Sequence, residues 1–165
     1  MRRIAVLSDT HGFLGDISWM QDCNEIWHAG DWGPGVESQL PQGKVVRGVH
    51  GNIDDAAIRK QFPEELHFES EGLRVYMRHI GGYPGHYASG VAERLISLRP
   101  HLFICGHSHI LKIVRDPQLH GMWCINPGAA GRVGLHQVRT AVRLTLDQGR
   151  IVGMEVVELG PRSER

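Results

Sequence analysis

Cysteine, aromatic side chains and unbalanced charge are all scarce in this 165-residue sequence. Its three cysteines, Cys23, Cys105 and Cys124, form no C-x-x-C pair. They therefore predict buried free thiols of a reducing cytosol rather than a disulfide framework or a zinc knuckle. The 18 basic and 18 acidic residues cancel, so the chain offers no basic track that would favour a nucleic-acid polymer as its partner.

Long apolar runs are missing as well. Only residues 4–7 are apolar between Arg3 and the first polar cluster, which is too short for the apolar region of a signal peptide. No stretch approaches the ~18 apolar residues of a membrane helix. We therefore expect a cytoplasmic protein without a membrane partner, with one domain over residues 1–160 and a frayed polar tail over residues 161–165. The sequence leaves a homo-oligomer open.

Short apolar runs separated by turn residues are abundant instead. They predict β-strands near residues 4–7, 25–27, 44–49, 66–70, 73–77, 102–105, 110–115, 122–125, 138–147 and 151–158. Helical spacing of apolar residues predicts helices over residues 16–23, 54–62 and 89–99. Strands alternate with helices in the first half and follow one another in the second. The pattern therefore predicts an α/β fold with two sheets packed face to face and helices outside them.

Five of these apolar runs end in the same kind of chemistry. Each is followed by a carboxylate, an amide or a histidine with a glycine nearby, and in chain order these residues are Asp9 and His11, Asp31, Asn52, His79, and His107 and His109. In open α/β sheets, ligands collect outside the carboxyl ends of the strands, where the loops converge. We therefore expect these side chains to form one site.

The ligand types in this set favour transition metals. Oxygen ligands mixed with imidazoles suit borderline divalent ions better than the all-oxygen shells of Ca²⁺ or Mg²⁺. Manganese is the first choice, with zinc, iron, nickel and cobalt as alternatives. The set exceeds the needs of one ion, so two ions about 3.5–4 Å apart that share a carboxylate are the simplest arrangement. Such a pair suits hydrolysis of a phosphate ester by a hydroxide that attacks in line.

The five motifs together resemble those of the calcineurin-like metallophosphoesterase superfamily: Asp-x-His (9–11), Gly-Asp (30–31), Gly-Asn (51–52), His79 and Gly-His-x-His (106–109). The short chain and Asn126-Pro127-Gly128 are similar to its small bacterial and archaeal phosphodiesterase branch, which is related to a eukaryotic vacuolar-sorting scaffold protein. The resemblance covers about residues 3–160 and implies a four-layer α/β/β/α sandwich of two mixed sheets.

The resemblance also implies roles for the seven residues. One metal would be held by Asp9, His11 and His109, the other by Asn52, His79 and His107, and Asp31 would bridge the two. A hydroxide between the metals would be the nucleophile, with Asp31, Asn52 and His107 nearest to the chemistry.

Two positions depart from the family's pattern. Many larger relatives have a histidine after Gly-Asn that protonates the leaving group, whereas this chain has Ile53. We therefore expect a preference for esters with good leaving groups, with His50, Asp54 and His86 as weak candidates for a substitute acid. In addition, His79 is followed by Ile80 rather than glycine, which predicts a looser turn and a less secure metal contact.

Three functions compete on this sequence. A metal-dependent phosphodiesterase that acts on a small phosphoester is favoured, because no ligand is missing. The alternative is a non-catalytic scaffold of the same fold, and a nuclease is disfavoured by the charge balance. Around the site, we expect supporting or packing roles for His28, Trp32, Tyr83 and Tyr87, although an aromatic ring could stack on a base. Arg132 is expected to face solvent rather than a substrate phosphate.

Overall fold

Ten β-strands dominate the computed structural model, which describes residues 1–163. In chain order they are β1 (Arg2–Leu7), β2 (Glu25–His28), β3 (Val45–Gly48), β4 (Glu65–Ser70), β5 (Leu73–Arg78), β6 (Leu102–Ile104), β7 (Lys112–Asp116), β8 (Met122–Asn126), β9 (Val138–Asp147) and β10 (Arg150–Pro161). Every strand expected from the apolar runs is present, with ends that differ by a few residues.

The strands form two mixed five-stranded sheets, as predicted. The first has the order β10-β9-β1-β2-β3, in which β1, β2 and β3 are parallel. The second has the order β4-β5-β6-β8-β7, in which β5, β6 and β8 are parallel. The parallel strands of a sheet deliver their carboxyl ends, and therefore the loops that follow, to a common edge.

Helices are few and short. They are α1 (Ala56–Gln61), whose first turn is capped by the Asp55 carboxylate accepting from Ile58 N at 3.1 Å, and α2 (Val91–Leu98). The prediction of a helix over residues 16–23 is wrong, because only a 3₁₀ turn, Ser18–Met20, forms there. Asp16 accepts from Ser18 N at 3.0 Å, and this side-chain bond makes a tight turn instead of starting an α-helix.

Three apolar clusters hold the layers of the fold together. Side chains of both sheets, including Ile4, Val6, Val75 and Ile104, form the central core between them. A second cluster packs α1 and the loops against the outer face of the first sheet. A third packs α2 against the outer face of the second sheet. The result is the four-layer α/β/β/α arrangement, with helical layers that consist largely of loops.

The C-terminal segment is more ordered than expected. β10 pairs with β9 as far as Pro161, and Arg162 N donates to Gln137 O at 2.9 Å, so the first two residues of the expected tail are ordered. Residues 164–165 of that tail lie outside the described part of the chain. Within residues 1–163, no helix has the length and apolar character to cross a membrane. The assignment of a single domain stays a prediction.

Candidate metal centre

The loops after five strands converge on one edge of the sandwich. Asp9 and His11 follow β1, Asp31 follows β2, and Asn52 follows β3 in the first sheet. His79 follows β5, and His107 and His109 follow β6 in the second sheet. Because the parallel strands of both sheets end here, all seven residues expected at the site lie at the same edge.

Unusual backbone conformations aim these side chains inward. Five of the seven have left-handed φ angles, namely Asp9 (55°), His11 (46°), Asp31 (58°), His107 (71°) and His109 (64°). Non-glycine residues rarely adopt such angles, and they persist where the surroundings enforce them, often at functional sites. Here the enforcement includes Asp9 N donating to Gly30 O and His11 N donating to Asp31 O, both at 3.0 Å.

The residues form two neighbouring groups, of which the first contains Asp9, His11 and His109. Asp9 Oδ1 lies 3.2 Å from His109 Nε2 and 3.7 Å from His11 Nε2. The other oxygen, Oδ2, accepts from Ser8 Oγ at 2.7 Å and from His107 N at 3.1 Å. The Asp9 carboxylate is thus fixed by one oxygen and presents the second to the histidines.

The second group contains Asp31, His79 and His107. Asp31 Oδ1 accepts from Ile53 N at 3.1 Å, while Oδ2 lies 3.1 Å from His79 Nε2 and 3.6 Å from His11 Nε2. Asp31 therefore contacts a histidine of each group. Asn52 adjoins this second group, since its Oδ1 lies 3.1 Å from His107 Nδ1.

His79 is more firmly oriented than its sequence context predicts. Its ring is buried, and Nδ1 donates to Ala29 O at 2.8 Å, which leaves Nε2 to face Asp31. A backbone carbonyl that holds one ring nitrogen of a metal-ligating histidine sets the tautomer and the ring plane. The looser turn after His79 has therefore not displaced its side chain from the group.

Unsatisfied polar atoms support a metal at this centre. Asp9 Oδ1, His11 Nε2 and His79 Nε2 are buried and have no hydrogen-bond partner among residues 1–163. Buried polar groups are nearly always paired, and an orphaned one costs about 1–3 kcal/mol. Divalent ions between these oxygen and nitrogen atoms would satisfy all of them, so the residues present fit a transition-metal site.

Contacts between carboxylates and histidines shift the pKa values of residues in both groups. Burial acts to raise the pKa of Asp9, but contacts with His109, His11 and His79 outweigh it and hold that pKa well below its usual range. Contact with Asp9 raises the pKa of His11. Burial opposes the charged form of His79, yet the Asp31 and Asp9 carboxylates raise its pKa.

Several supporting residues were only partly visible in the sequence. His28 is buried, with Nδ1 accepting from Gly30 N and Nε2 facing Thr10 Oγ1, both at 3.0 Å, and burial lowers its pKa to about 3. It therefore supports the Gly30-Asp31 corner, as expected for a residue beside the ligands. Asp54 accepts from Gly51 N at 2.8 Å and Gly33 N at 3.1 Å, which ties the loops that carry Asn52 and Asp31 together.

The three candidates for a substitute general acid make contacts within the protein that do not indicate a role in proton transfer. Both carboxylate oxygens of Asp54 accept backbone N–H groups, and His50 Nδ1 donates to Phe62 O at 2.9 Å. His86 is exposed and lies beside the Tyr83 ring at 4.8 Å. The structure therefore identifies no acid that replaces a histidine at Ile53.

The aromatic residues and Arg132 are mostly engaged within the protein. Trp32 is buried between His28 and Phe62, so it cannot stack on a substrate base. Tyr87 donates to Asp116 Oδ2 at 2.6 Å, and the guanidinium of Arg132 lies 3.8 Å from the Phe13 ring centroid.

The cysteines follow the prediction of buried free thiols. All three are free and buried, and burial raises the pKa of Cys105 to about 12 and of Cys124 to about 11.

The fold and the cluster define an α/β sandwich protein with a candidate transition-metal centre. The calcineurin-like phosphoesterase superfamily domain matches residues 1–149, and the chain belongs to that superfamily. No curated protein matches the chain significantly.

Solved structures of the same fold include both Vps29 proteins and phosphoesterases. Vps29 from Entamoeba histolytica, as a single mutant, is 16% identical with a TM-score of 0.71 and covers 96% of this chain and 99% of its own. A Thermotoga maritima protein solved by NMR is 22% identical with a TM-score of 0.66 and covers 96% of this chain and 100% of its own. A predicted phosphoesterase from Streptococcus pneumoniae is 18% identical with a TM-score of 0.61 and covers 95% of this chain and 97% of its own.

Proposed function

We propose that the chain is a metal-dependent phosphodiesterase that hydrolyses a small phosphoester at a two-metal centre. The observation that carries the proposal is the position of Asp31, whose Oδ2 lies 3.6 Å from His11 of the first group and 3.1 Å from His79 of the second. A carboxylate shared between two groups of ligands is the arrangement that two adjacent ions require.

Different residues would hold each of the two ions. Asp9, His11 and His109 would hold one ion, Asn52, His79 and His107 the other, and Asp31 both. When bound, two such ions supply an activated hydroxide and neutralise charge on the phosphate oxygens. Manganese remains our first choice, and a Vps29 structure from Entamoeba histolytica in complex with Zn²⁺ makes zinc the next.

The protein residues contribute orientation rather than proton transfer. Asn52 and His107 are exposed, so they lie where a substrate phosphate can approach, whereas Asp9 and His79 are buried behind them. Ile53, which is 48% exposed, cannot donate a proton to a departing alkoxide. We infer that the leaving group departs with little protein assistance, which favours esters of acidic alcohols.

A second candidate function is a metal-binding scaffold without useful catalysis. It is supported by the TM-score of 0.71 to Vps29 over 96% of the chain. The complete ligand set favours the enzyme. In either case we propose a cytoplasmic protein that does not act on nucleic-acid polymers, since its 18 basic and 18 acidic residues balance.

Hydrolysis of bis-p-nitrophenyl phosphate with added Mn²⁺ tests the proposal. Wild type is compared with Asp31→Asn and with Asp147→Asn, a surface carboxylate outside the two groups. We expect turnover by wild type and by Asp147→Asn, and a loss of about a thousand-fold or more, or ~4 kcal/mol, in Asp31→Asn. Equal inactivity of all three proteins with Mn²⁺, Zn²⁺, Ni²⁺ and Co²⁺ would favour the scaffold.

A further inference from the structure

A basic cavity adjoins the second group of ligands. It has a volume of about 440 Å³ and is lined by Asn52 and His79 together with His50, Arg59 and Arg78. Asn52 and His79 thus belong both to the candidate metal centre and to the cavity wall. A molecule whose phosphate sits at the centre can extend directly into this space.

Arg59 is held in place by three backbone carbonyls that contact two of its three guanidinium nitrogens. Nε donates to Asp54 O at 2.8 Å, and Nη2 donates to Asn52 O at 3.2 Å and to Gly51 O at 3.3 Å. Nη1 has no protein partner among residues 1–163. The carbonyls fix the orientation of the guanidinium without neutralising its charge, because none of them is anionic.

Arg78 contacts the Tyr76 side chain, which raises its pKa, but it has no close carboxylate partner in the described part of the chain. Its nitrogens lie 3.5 Å from Glu64 Oε1 and 3.7 Å from Glu65 Oε2, distances at which the geometry of a strong ionic hydrogen bond is not achieved. The Glu64 side chain also lines the cavity and is 71% exposed. Exposed ion pairs of this kind are weak, so an anion can displace Glu64 at little cost.

A second cavity beside the centre has a different character. It has a volume of about 310 Å³, borders His107 and is lined by Ile80, Tyr83 and Ile110. Its one lysine, Lys112, lies 4.1 Å from the Tyr83 ring centroid and is engaged with that ring. Of the two cavities, the one lined by Arg59 and Arg78 therefore carries both guanidinium groups, whereas the other carries a single ammonium group that is engaged with an aromatic ring.

We propose that the cavity of His50, Arg59 and Arg78 binds a second anionic group of the substrate, next to the phosphate that is hydrolysed. This inference rests on the proposed function and narrows its substrate class to phosphoesters that carry a further phosphate or carboxylate close to the reacting phosphorus. Arginine guanidinium groups suit both anions, because their N–H fork matches the paired oxygens.

Calorimetric titration of the Mn²⁺-loaded protein at pH 8, with each probe premixed with Mn²⁺ so that it does not strip the centre, tests the inference without relying on catalysis. The probes are inorganic phosphate, phosphonoacetate and pyrophosphate, which carry one phosphate, a phosphonate with a carboxylate, and two phosphates. We expect at least one of the two-anion probes to bind about tenfold more tightly than phosphate, because the arginines can form charge-assisted hydrogen bonds to its second anion. The probe that is preferred identifies the second anion.

Three variants decide whether the cavity causes that preference. Arg78→Gln should abolish it, whereas Glu64→Gln should increase affinity for the two-anion probes several-fold by removing the competing carboxylate. Arg150→Gln, an exposed arginine outside the cavity, should have no effect. Equal binding of all probes by wild type would overturn the inference. So would equal losses in Arg78→Gln and Arg150→Gln, because general charge attraction would then explain the binding.

The outcome is separable from that of the proposed function. A preference for two anions in a protein that hydrolyses no ester would retain the binding site and reject the enzyme. Hydrolysis of bis-p-nitrophenyl phosphate by a protein without the preference would retain the enzyme and reject the binding site.

Discussion

The two groups of candidate ligands differ in how far they are withdrawn from solvent. In the first, Asp9 is fully buried, and the His11 and His109 side chains are only 12% and 18% exposed. The second combines buried Asp31 and His79 with exposed His107. Asn52, which adjoins the second group, is exposed as well.

This difference suggests a division between holding a metal and meeting a substrate. The residues of the first group lie on left-handed corners after β1 and β6 and are largely withdrawn from solvent. The second group opens onto the basic cavity through Asn52 and His79 and onto the neighbouring cavity of Tyr83 and Ile110 through His107. We expect the first group to bind its ion more tightly and the second to contact the substrate.

The largest effect should come from moving the carboxylate that joins the groups. A methyl group at Gly51 would lie 2.7 Å from Asp31 Cγ, so Gly51→Ala must displace Asp31. We expect a loss of activity of about a thousand-fold, because interactions with both groups are disturbed.

Gly43→Ala is the control for this change. Nothing lies within 4 Å of the added methyl there, although φ is +81°. It should lower the free energy of unfolding by about 1 kcal/mol and leave turnover intact. Similar activity of Gly51→Ala and Gly43→Ala would show that Asp31 does not join the groups functionally.

Because Ile53 cannot protonate a leaving group, the rate of hydrolysis should depend strongly on the acidity of that leaving group. Rates on a series of aryl and alkyl phosphodiesters should fall steeply as the leaving-group pKa rises. Ile53→His should raise the rate on the alkyl esters by about 10²-fold, the lower end of general-acid effects, with little change for nitrophenyl esters. Rates that are independent of leaving-group pKa in wild type would contradict the role assigned to Ile53.

Chelator competition should separate the two groups by affinity. Loaded wild type should release one ion at low chelator concentration and the other only at higher concentration. His107→Ala should weaken only the first ion released, whereas His109→Ala should weaken the more tightly held one, each by about 10–100-fold or more. Simultaneous release of both ions in all three proteins would remove the distinction between the groups.

The smallest effect concerns the pH dependence of stability without metal. The pKa of both His11 and His79 is raised in the folded chain, so their contribution is complete below the unfolded value of about 6.5 and is lost as pH rises through the folded values. The difference in unfolding free energy between the metal-free wild type and a variant that lacks both side chains, His11→Ala with His79→Ala, should therefore decline as the pH rises above about 6.5. The comparison with the variant is needed because buried His28, whose pKa is lowered, has the opposite pH dependence.

Metal should reverse this trend. Ions require neutral histidines, so the loaded protein should gain stability over the same pH range as its metal affinity rises. Parallel pH profiles for the two forms would mean that the ions do not bind at His11 and His79.

The sequence predicts the strands and the site edge well for a physical reason. Buried strands need apolar runs, and the candidate ligands follow the strand ends. Both features can therefore be recognised directly in the amino-acid sequence. The failure at residues 16–23 has a physical cause too. Ile17, Met20 and Cys23 have helical spacing, yet a loop that turns at Asp16 buries Met20 and Cys23 equally well.

The parts of the site that sequence reasoning missed depend on three-dimensional contacts. No pattern in the sequence indicates that Asp54 joins the loops of Asp31 and Asn52, or that Arg59 contacts three carbonyls. A weak signal existed for His79, since the carbonyl that orients its ring belongs to Ala29, beside the Gly30-Asp31 motif. The left-handed angles of five ligands could be anticipated only from their glycine neighbours.

The central claim is that Asp31 joins two ions in one centre, and metal stoichiometry tests it most directly. Protein stripped with chelator, titrated with Mn²⁺ and measured by elemental analysis after removal of free metal, should retain two ions per chain. Asp31→Asn should retain at most one. Retention of a single ion by wild type, or of two by Asp31→Asn, would contradict the account.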